Sequence, residues 1–175
     1  MKKIGTIQEP LRWVQPNVLK MNYELRAGED LAATLRFRSA FGTLATAETA
    51  DGCWTFKRVG FLQSRATIRA CGSDAELATF ENNTWSGGGT LKLSDGRTLR
   101  VTSNFWQTQM ELQTEAGEVL IRIQTSGLLM TSVAVELTPS GLALPELPWL
   151  TMFVWYVTAM MQMDASMGAV VVAAT

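Results

Sequence analysis

The segment from Leu147 to Met163 is apolar on every face, and no other feature constrains the fold of this chain as much. Pro148 suits the first turn of a helix, where its missing N–H costs nothing. The sequence therefore predicts a helix at about 147–163, with an extension towards 174 left open. A helix that is apolar all round lies either in a membrane or in a protein core.

Length and polarity favour the protein core. From Trp149 to Met163 such a helix is roughly 22 Å long, whereas a bilayer core of ~30 Å needs about 20 residues. A longer helix would place Asp164 inside the span. Thr151, Thr158, Gln162 and Ser166 form one thin polar stripe, which suits a buried helix with local hydrogen bonds. The alternative is a membrane anchor.

The rest of the chain, from about 11 to 138, consists of short strand-like segments separated by turn residues. Leu31–Arg38 alternates, with Leu31, Ala33, Leu35 and Phe37 on one side and Arg36 and Arg38 on the other, as in a half-buried strand. Asp95-Gly96 suits the centre of a two-residue type I′ hairpin turn. Glu115-Ala-Gly117 joins another pair of strands.

About 12 strands follow one another with no amphipathic helix between them, so parallel βαβ units are disfavoured. We therefore predict an all-β fold, in which one domain spans 1–175. Its architecture is a closed antiparallel barrel of about 12 strands that encloses the hydrophobic C-terminal helix. Eight strands are filled by their own side chains, but a barrel this wide has room for a helix.

Charge and composition exclude several classes of function. The chain has no histidine, which rules out Ser-His-Asp and Cys-His nucleophile systems and His-ligated metals. A formal net charge of −1 argues against a nucleic-acid partner. No residue pattern indicates a catalytic, cofactor-binding or metal-binding site, so we expect a protein that is not an enzyme and needs no cofactor.

Two cysteines, Cys53 and Cys71, leave two possibilities open. Gln8, Glu9 and Pro10 interrupt the N-terminal stretch where a signal peptide would be apolar, so we expect a cytoplasmic protein. In that reducing compartment both thiols should be free and inert. The alternative is a disulfide, because both cysteines lie in neighbouring predicted strands and could face each other across a hairpin.

Three stretches resemble the tubby-like superfamily, which includes tubby C-terminal domains, LURP-one-related proteins and phospholipid scramblases. They are Trp54-Thr-Phe-Lys-Arg-Val-Gly-Phe61, Trp85-Ser-Gly-Gly-Gly-Thr-Leu-Lys-Leu-Ser-Asp-Gly-Arg97 and Leu147-Pro-Trp-Leu with Trp155-Tyr156. The resemblance covers most of the chain as a pattern of strands, turns and a final helix. It implies a 12-stranded antiparallel barrel around a hydrophobic C-terminal helix.

The functions in that superfamily do not transfer residue by residue. Tubby domains bind phosphoinositides through basic residues, and scramblases are associated with calcium, palmitoylated cysteines and lipid movement. This chain has no Cys-rich run and lacks the spaced Asp/Asn loop ending in Glu that a calcium site needs. No binding residue of the superfamily aligns with a position here.

One charge cluster stands out as a candidate site. Residues 54–70 carry Lys57, Arg58, Arg65 and Arg69 and no acid. On neighbouring strands these side chains could form a patch for an anion or a lipid head group, since each such charge contributes about 1 kcal/mol near an anionic membrane. The alternative is a solvated barrel face that resists edge pairing.

Two further features have structural explanations. Gly87-Gly88-Gly89 lacks the Gly-Lys-Ser/Thr of a phosphate-binding loop, so we predict a flexible loop or a bulge. Large aromatic residues at Trp13, Trp54, Trp85 and Trp106 could stack on a ligand, but we predict that they pack a wide barrel.

The sequence thus favours a non-enzymatic binding or scaffold module, peripheral at a membrane, with anionic phospholipid as the expected partner. A protein partner is not identified. One alternative is a tail-anchored membrane protein with a β-rich cytosolic domain. The other is a small-molecule carrier barrel, which would need an empty lumen.

Overall fold

The computed structural model describes residues 1–39, 42–59, 65–83, 88–104, 106, 108–125 and 133–173, with side chains to Ser166. Twelve antiparallel strands close into one barrel, in which β1 pairs with both β2 and β12. The strands are β1 Leu11–Val14, β2 Asn22–Ala27, β3 Asp30–Phe37, β4 Leu44–Thr49, β5 Gly52–Val59, β6 Arg65–Ala70, β7 Glu76–Asn83, β8 Gly88–Leu93, β9 Thr98–Ser103, β10 Gln109–Thr114, β11 Val119–Thr125 and β12 Val133–Leu137. The predicted fold class is confirmed.

Two α-helices follow the last strand. The short α1 spans Pro139–Leu142, and Thr138 caps it by accepting a hydrogen bond from the Gly141 N–H. The long α2 spans Leu147–Ala173 and reaches the extension that the sequence left open. A 3₁₀ helix at Ile4–Thr6, which the sequence analysis did not predict, packs near the start of α2.

Because neighbouring strands run in opposite directions, the barrel has two distinct rims. The even-numbered strands end at the rim where α2 begins, which we call the proximal rim. The odd-numbered strands end at the other rim, the distal rim, towards which α2 runs. Contacts at both ends of the helix agree with this direction: Glu146 pairs with Arg97 at the proximal rim, and Asp164 pairs with Arg58 at the end of β5.

The predicted alternation in β3 holds for Ala33, Leu35 and Phe37, which are buried. It fails at Leu31, because the β2–β3 register shifts at Leu25/Arg26. After this bulge Leu31 lies opposite Arg26, and Ala32 is the buried residue. A bulge inserts one extra residue into a strand and so reverses the inside–outside pattern beyond it.

The hairpin at Asp95-Gly96 is longer than the predicted two-residue turn. The Gly96 N–H donates to the Leu93 carbonyl, and the Leu93 N–H donates to the Arg97 carbonyl, which encloses three residues. Gly96 has a φ of 92°, the left-handed conformation that such a loop needs at its last position. The type I′ assignment was therefore wrong, although the turn lies where the sequence placed it.

The lumen is filled by α2. Every residue from Leu147 to Met160 is buried except Pro148, which is half-buried. Trp155 stacks on Trp13 of β1 with ring centroids 5.5 Å apart. Phe153 meets the rings of Phe56 and Phe80 edge-on, at 5.5 and 5.4 Å. Aromatic side chains from several strands thus fix the helix inside the barrel.

The threonines of the polar stripe satisfy their hydroxyls within the helix itself. Thr151 donates to the Leu147 carbonyl at 2.9 Å, and Thr158 donates to the Val154 carbonyl at 2.8 Å. Ser166 makes the same bond to the Gln162 carbonyl. These hydroxyls therefore add no unsatisfied donor to the apolar lumen, as predicted for a buried helix.

Cys53 and Cys71 are joined by a disulfide, with Cα atoms 5.4 Å apart. The expectation of free thiols was wrong. It rested on an assumed compartment, whereas the decisive fact is the strand register: Trp54 lies opposite Ala70, and the Cys71 N–H donates to the Cys53 carbonyl. This register sets the two cysteines side by side across β5 and β6.

Among the described residues, no helix has the combined length and apolarity needed to cross a bilayer.

Candidate functional site

The two rims differ sharply in the composition of their connecting segments. In the sequence, the odd-numbered strands are followed by the segments 15–21, 38–43, 60–64, 84–87, 104–108 and 126–132. In the sequence they contain no Asp or Glu, and each contains at least one large apolar residue. Segments 60–64, 84–87 and 126–132 lie outside the described residues, as do residues 40–41, 105 and 107.

The connections at the proximal rim have the opposite character. They are short, and each carries at least one carboxylate: Glu29, Asp51, Asp74, Asp95, Glu115, Glu118 and Glu146. The connections of the proximal rim thus carry carboxylates, whereas the segments that follow the odd-numbered strands carry none. This axial asymmetry does not show in the net charge of −1.

Within the described residues, exposed apolar side chains concentrate at the distal rim. Val18 and Leu19, between β1 and β2, are 81% and 89% exposed. Trp106, between β9 and β10, is 78% exposed, and Val59 ends β5 at the same rim. At the proximal rim, Met1 and Leu142 are 53% and 44% exposed. Protruding apolar side chains on rim loops are typical of a docking surface.

Basic side chains accompany these apolar residues. Lys20 follows Leu19 directly, Arg38 follows β3, and Lys57 lies two residues before Val59 on β5. All three side chains belong to exposed residues. The distal rim therefore combines exposed apolar side chains with positive charge.

Arg58, a member of the predicted basic cluster, occupies the inner face of β5. Its guanidinium donates to both carboxylate oxygens of Asp164 on α2, Nη1 to Oδ2 at 2.6 Å and Nη2 to Oδ1 at 3.0 Å. The hydrogen bond to Asp164 raises the pKa of Arg58. This two-point pair lies where α2 leaves the barrel, beside the side chain of Tyr156.

Arg65 and Arg69 lie on the outer wall and share one partner. Their Nη2 atoms approach the two oxygens of Glu76 at 2.8 and 2.9 Å. The hydrogen bond from Arg69 lowers the pKa of Glu76. Lys57, which faces outwards from β5, is exposed. The structure therefore does not bring the four predicted residues together on one face.

The acids that neutralise the cluster could not be identified from residues 54–70. Asp164 is 106 positions away from Arg58 in the sequence, and Glu76 comes from the next strand. The signal that could have found the distal rim is the composition of alternate connections. The difference becomes visible only when the segments after odd-numbered strands are compared with the segments after even-numbered strands.

The other predicted candidates have mixed outcomes. Trp13 is buried against α2, and Trp54 packs half-buried against the core, as predicted. Trp106 is exposed, so the prediction that it packs the barrel was wrong. Four residues singled out in the sequence lie outside the described residues: Trp85, Gly60, Phe61 and Gly87.

The glycines after Gly87 belong to a strand. Gly88 and Gly89 are the first residues of β8, so the predicted loop does not extend through them. A Cβ at Gly89 would overlap the Glu81 carbonyl and the ring of Phe80. This glycine therefore allows β7 and β8 to approach closely while Phe80 reaches Phe153.

Two small cavities lie beside α2 within the described part of the chain. One, of about 30 Å³, is lined by residues that include Arg58, Tyr156 and Asp164. Another, of about 40 Å³, lies beside Trp13 and Trp155. Ligand pockets are usually ten times larger, at roughly 300–1,000 Å³. A wider groove of about 360 Å³ runs along the outer wall, where Arg65, Glu76, Glu81 and Lys92 line it.

Among the described residues, no three His, Cys, Asp or Glu side chains come together in a way that could hold a metal ion. Comparison with protein-family models, curated proteins and solved structures finds no match to this chain. The resemblance to the tubby-like superfamily thus stays a prediction.

Proposed function

We propose that this protein is a non-enzymatic binding module that docks on anionic membranes through its distal rim. The observation that carries the proposal is the axial asymmetry of the barrel. One rim presents exposed Val18 and Leu19 beside Lys20, whereas the connections of the other rim each carry a carboxylate. An anionic surface attracts the first rim more strongly than the second.

The filled lumen supports a binding role over a carrier role. Within the described part of the chain, two cavities beside α2 measure about 30 and 40 Å³ and leave little room for an organic ligand. Recognition is therefore expected at the outside of the barrel. The rim loops are suited to this, because loops held by a rigid scaffold commonly carry binding residues.

Existing ion pairs make the predicted basic cluster, Lys57, Arg58, Arg65 and Arg69, a poorer contact surface than the distal rim. Arg65 and Arg69 already pair with Glu76, and Arg58 pairs with Asp164. A head group would have to compete with these carboxylates. Lys20 and Arg38 instead extend from connections that contain no acid.

Vesicle sedimentation tests the proposal. Vesicles made of equal parts phosphatidylserine and phosphatidylcholine should bind the protein, and pure phosphatidylcholine should bind it less. Val18→Ser with Leu19→Ser should weaken binding by about tenfold, since two exposed apolar side chains are lost from the contact. The matched control is Leu142→Ser at the proximal rim, which should leave binding unchanged.

Charge variants separate the rim from the cluster. Lys20→Glu with Arg38→Glu should reduce binding to anionic vesicles, whereas Arg65→Ala with Arg69→Ala should have little effect. Failure of the wild-type protein to sediment with anionic vesicles would refute the proposal. Loss of binding in the Arg65/Arg69 variant, with the rim variants unaffected, would move the contact to the basic cluster with Lys57.

A further inference from the structure

Helix α2 is longer than the barrel that encloses it. Its 27 residues extend about 40 Å at 1.5 Å per residue. The buried stretch Leu147–Met160 accounts for about 20 Å of this, close to the ~20–26 Å length of strands of six to eight residues. The remainder, from Met161 to Ala173, therefore continues past the distal rim.

Burial declines along this remainder as expected for a helix that leaves the lumen. Met161, Gln162 and Met163 are half-buried, and Asp164, Ala165 and Ser166 are exposed. Beyond Asp164 the sequence Ala-Ser-Met-Gly-Ala-Val-Val-Val-Ala contains no charge. An uncharged, mostly apolar helical end gains nothing from projecting into water.

We propose that the end of α2, Ala165–Ala173, enters the hydrocarbon of one membrane leaflet when the distal rim docks. This inference rests on the proposed function and names the part of the rim that penetrates. Its length is about 13 Å, which fits within one leaflet, about half of a ~30 Å bilayer core. The exposed residues Val18 and Leu19 lie at the same rim and would enter the interface beside it.

The Arg58–Asp164 pair ties α2 to the barrel wall at the distal rim. Asp164 is the last charged residue of α2, and both of its oxygens accept hydrogen bonds from Arg58. The carboxylate is thus compensated at the level of the rim, where an unpaired acid would oppose an anionic surface. The hydrogen bond from Tyr156 Oη to the Thr43 carbonyl, at 2.6 Å, gives the helix a second attachment at this end.

A fluorescent probe on the helix end tests the inference. Ala169→Cys labelled with an environment-sensitive dye should shift its emission to the blue on anionic vesicles. Lipids that carry a quencher in the acyl chain should quench it. The matched control is Ala116→Cys with the same dye, at the proximal rim, where neither change is expected. The native cysteines are joined in a disulfide and do not compete for the label.

The outcomes separate the two proposals. If the labelled protein sediments with vesicles but the Ala169 dye keeps its aqueous emission, the helix end stays outside the bilayer and only this inference fails. If the protein does not sediment at all, both proposals fail. A second variant, Val170→Asn with Val171→Asn and Val172→Asn, leaves the buried part of α2 intact. It should bind about tenfold more weakly, and unchanged binding would also overturn the inference.

Discussion

Asp164 on α2 and Arg58 on β5 form a two-point ion pair at the place where the central helix leaves the barrel. The two residues are 106 positions apart in the sequence, so the pair joins the end of the chain to the barrel wall. Two parallel N–H···O bonds also fix the orientation of both groups. The pair therefore ties α2 to the barrel wall at this rim.

A double-mutant cycle should show a coupling between these residues. The unfolding free energies of Arg58→Met, Asp164→Asn and the double variant should yield a coupling free energy of about 0.5–1 kcal/mol. The value is modest because Arg58 is shielded but Asp164 is partly in solvent. Urea unfolding measures it. The comparison pair is Lys92 and Glu81, which is more exposed and should couple less. Equal coupling in the two pairs would contradict a special role for Arg58 and Asp164.

Tyr156 should make the protein sensitive to alkali. Its side chain is buried, and burial raises its pKa above the ordinary value of 10.0. The folded state therefore holds the phenol proton more tightly than the unfolded state. The resulting stabilisation is complete below pH 10 and is lost as the pH rises towards the folded pKa.

Tyr156→Phe tests this pH dependence. The variant should lose about 1–2 kcal/mol of unfolding free energy at neutral pH, because the Thr43 carbonyl loses its donor. Above pH 10 its stability should fall less steeply than that of the wild type. Denaturant unfolding at several pH values measures both effects. Parallel curves for the two proteins would show that Tyr156 does not ionise on unfolding in this range.

The barrel was predictable because two independent patterns agree. Alternation and turn residues predicted about 12 antiparallel strands between residues 11 and 138, and the helix Leu147–Met163 was apolar enough to require enclosure. The local errors lie where tertiary context decides. A bulge at Leu25/Arg26 turned Leu31 outwards, and a three-residue loop replaced the type I′ turn at Gly96.

The site was less predictable for a physical reason. Lys57, Arg58, Arg65 and Arg69 are close in sequence, but side chains on one strand alternate between faces, so Arg58 points inwards while Lys57 points outwards. Their acidic partners come from other elements. The composition of the distal rim was visible in the sequence, but its six connections could be grouped only once strand directions were assigned.

Phe153 should be among the most costly residues to truncate. It is fully buried and contacts Phe56, Phe80 and Tyr156. Phe153→Ala is expected to destabilise the fold by about 3–5 kcal/mol, from lost transfer energy and the cavity left behind. Met161→Ala, on the half-buried part of the same helix, is the control and should cost less. A small effect of Phe153→Ala in urea unfolding would argue against a tightly packed lumen.

Removal of residues 147–175 should unfold the barrel. The deletion exposes the inner side chains of the strands, since α2 supplies the buried residues from Leu147 to Met160. Circular dichroism and urea titration should show no cooperative transition for the truncated chain. A tail-anchored protein would behave in the opposite way, with a truncated domain that folds and stays in solution. A cooperative transition in the truncated chain would therefore favour that alternative.

The Cys53–Cys71 disulfide should contribute measurably to stability. The cysteines are 18 positions apart. Closing a loop of this size lowers the conformational entropy of the unfolded chain, which stabilises the folded state by about 3 kcal/mol. Cys53→Ala with Cys71→Ala should lower the unfolding free energy by about this amount, and dithiothreitol should have a similar effect on the wild type but none on the variant.

Thiol titration of the denatured, unreduced protein provides the direct check on the disulfide. Fewer than one free thiol per chain agrees with the bond, which persists best in an oxidising compartment. Two free thiols per chain would restore the original expectation of a reduced protein and, with it, the argument for a cytoplasmic location.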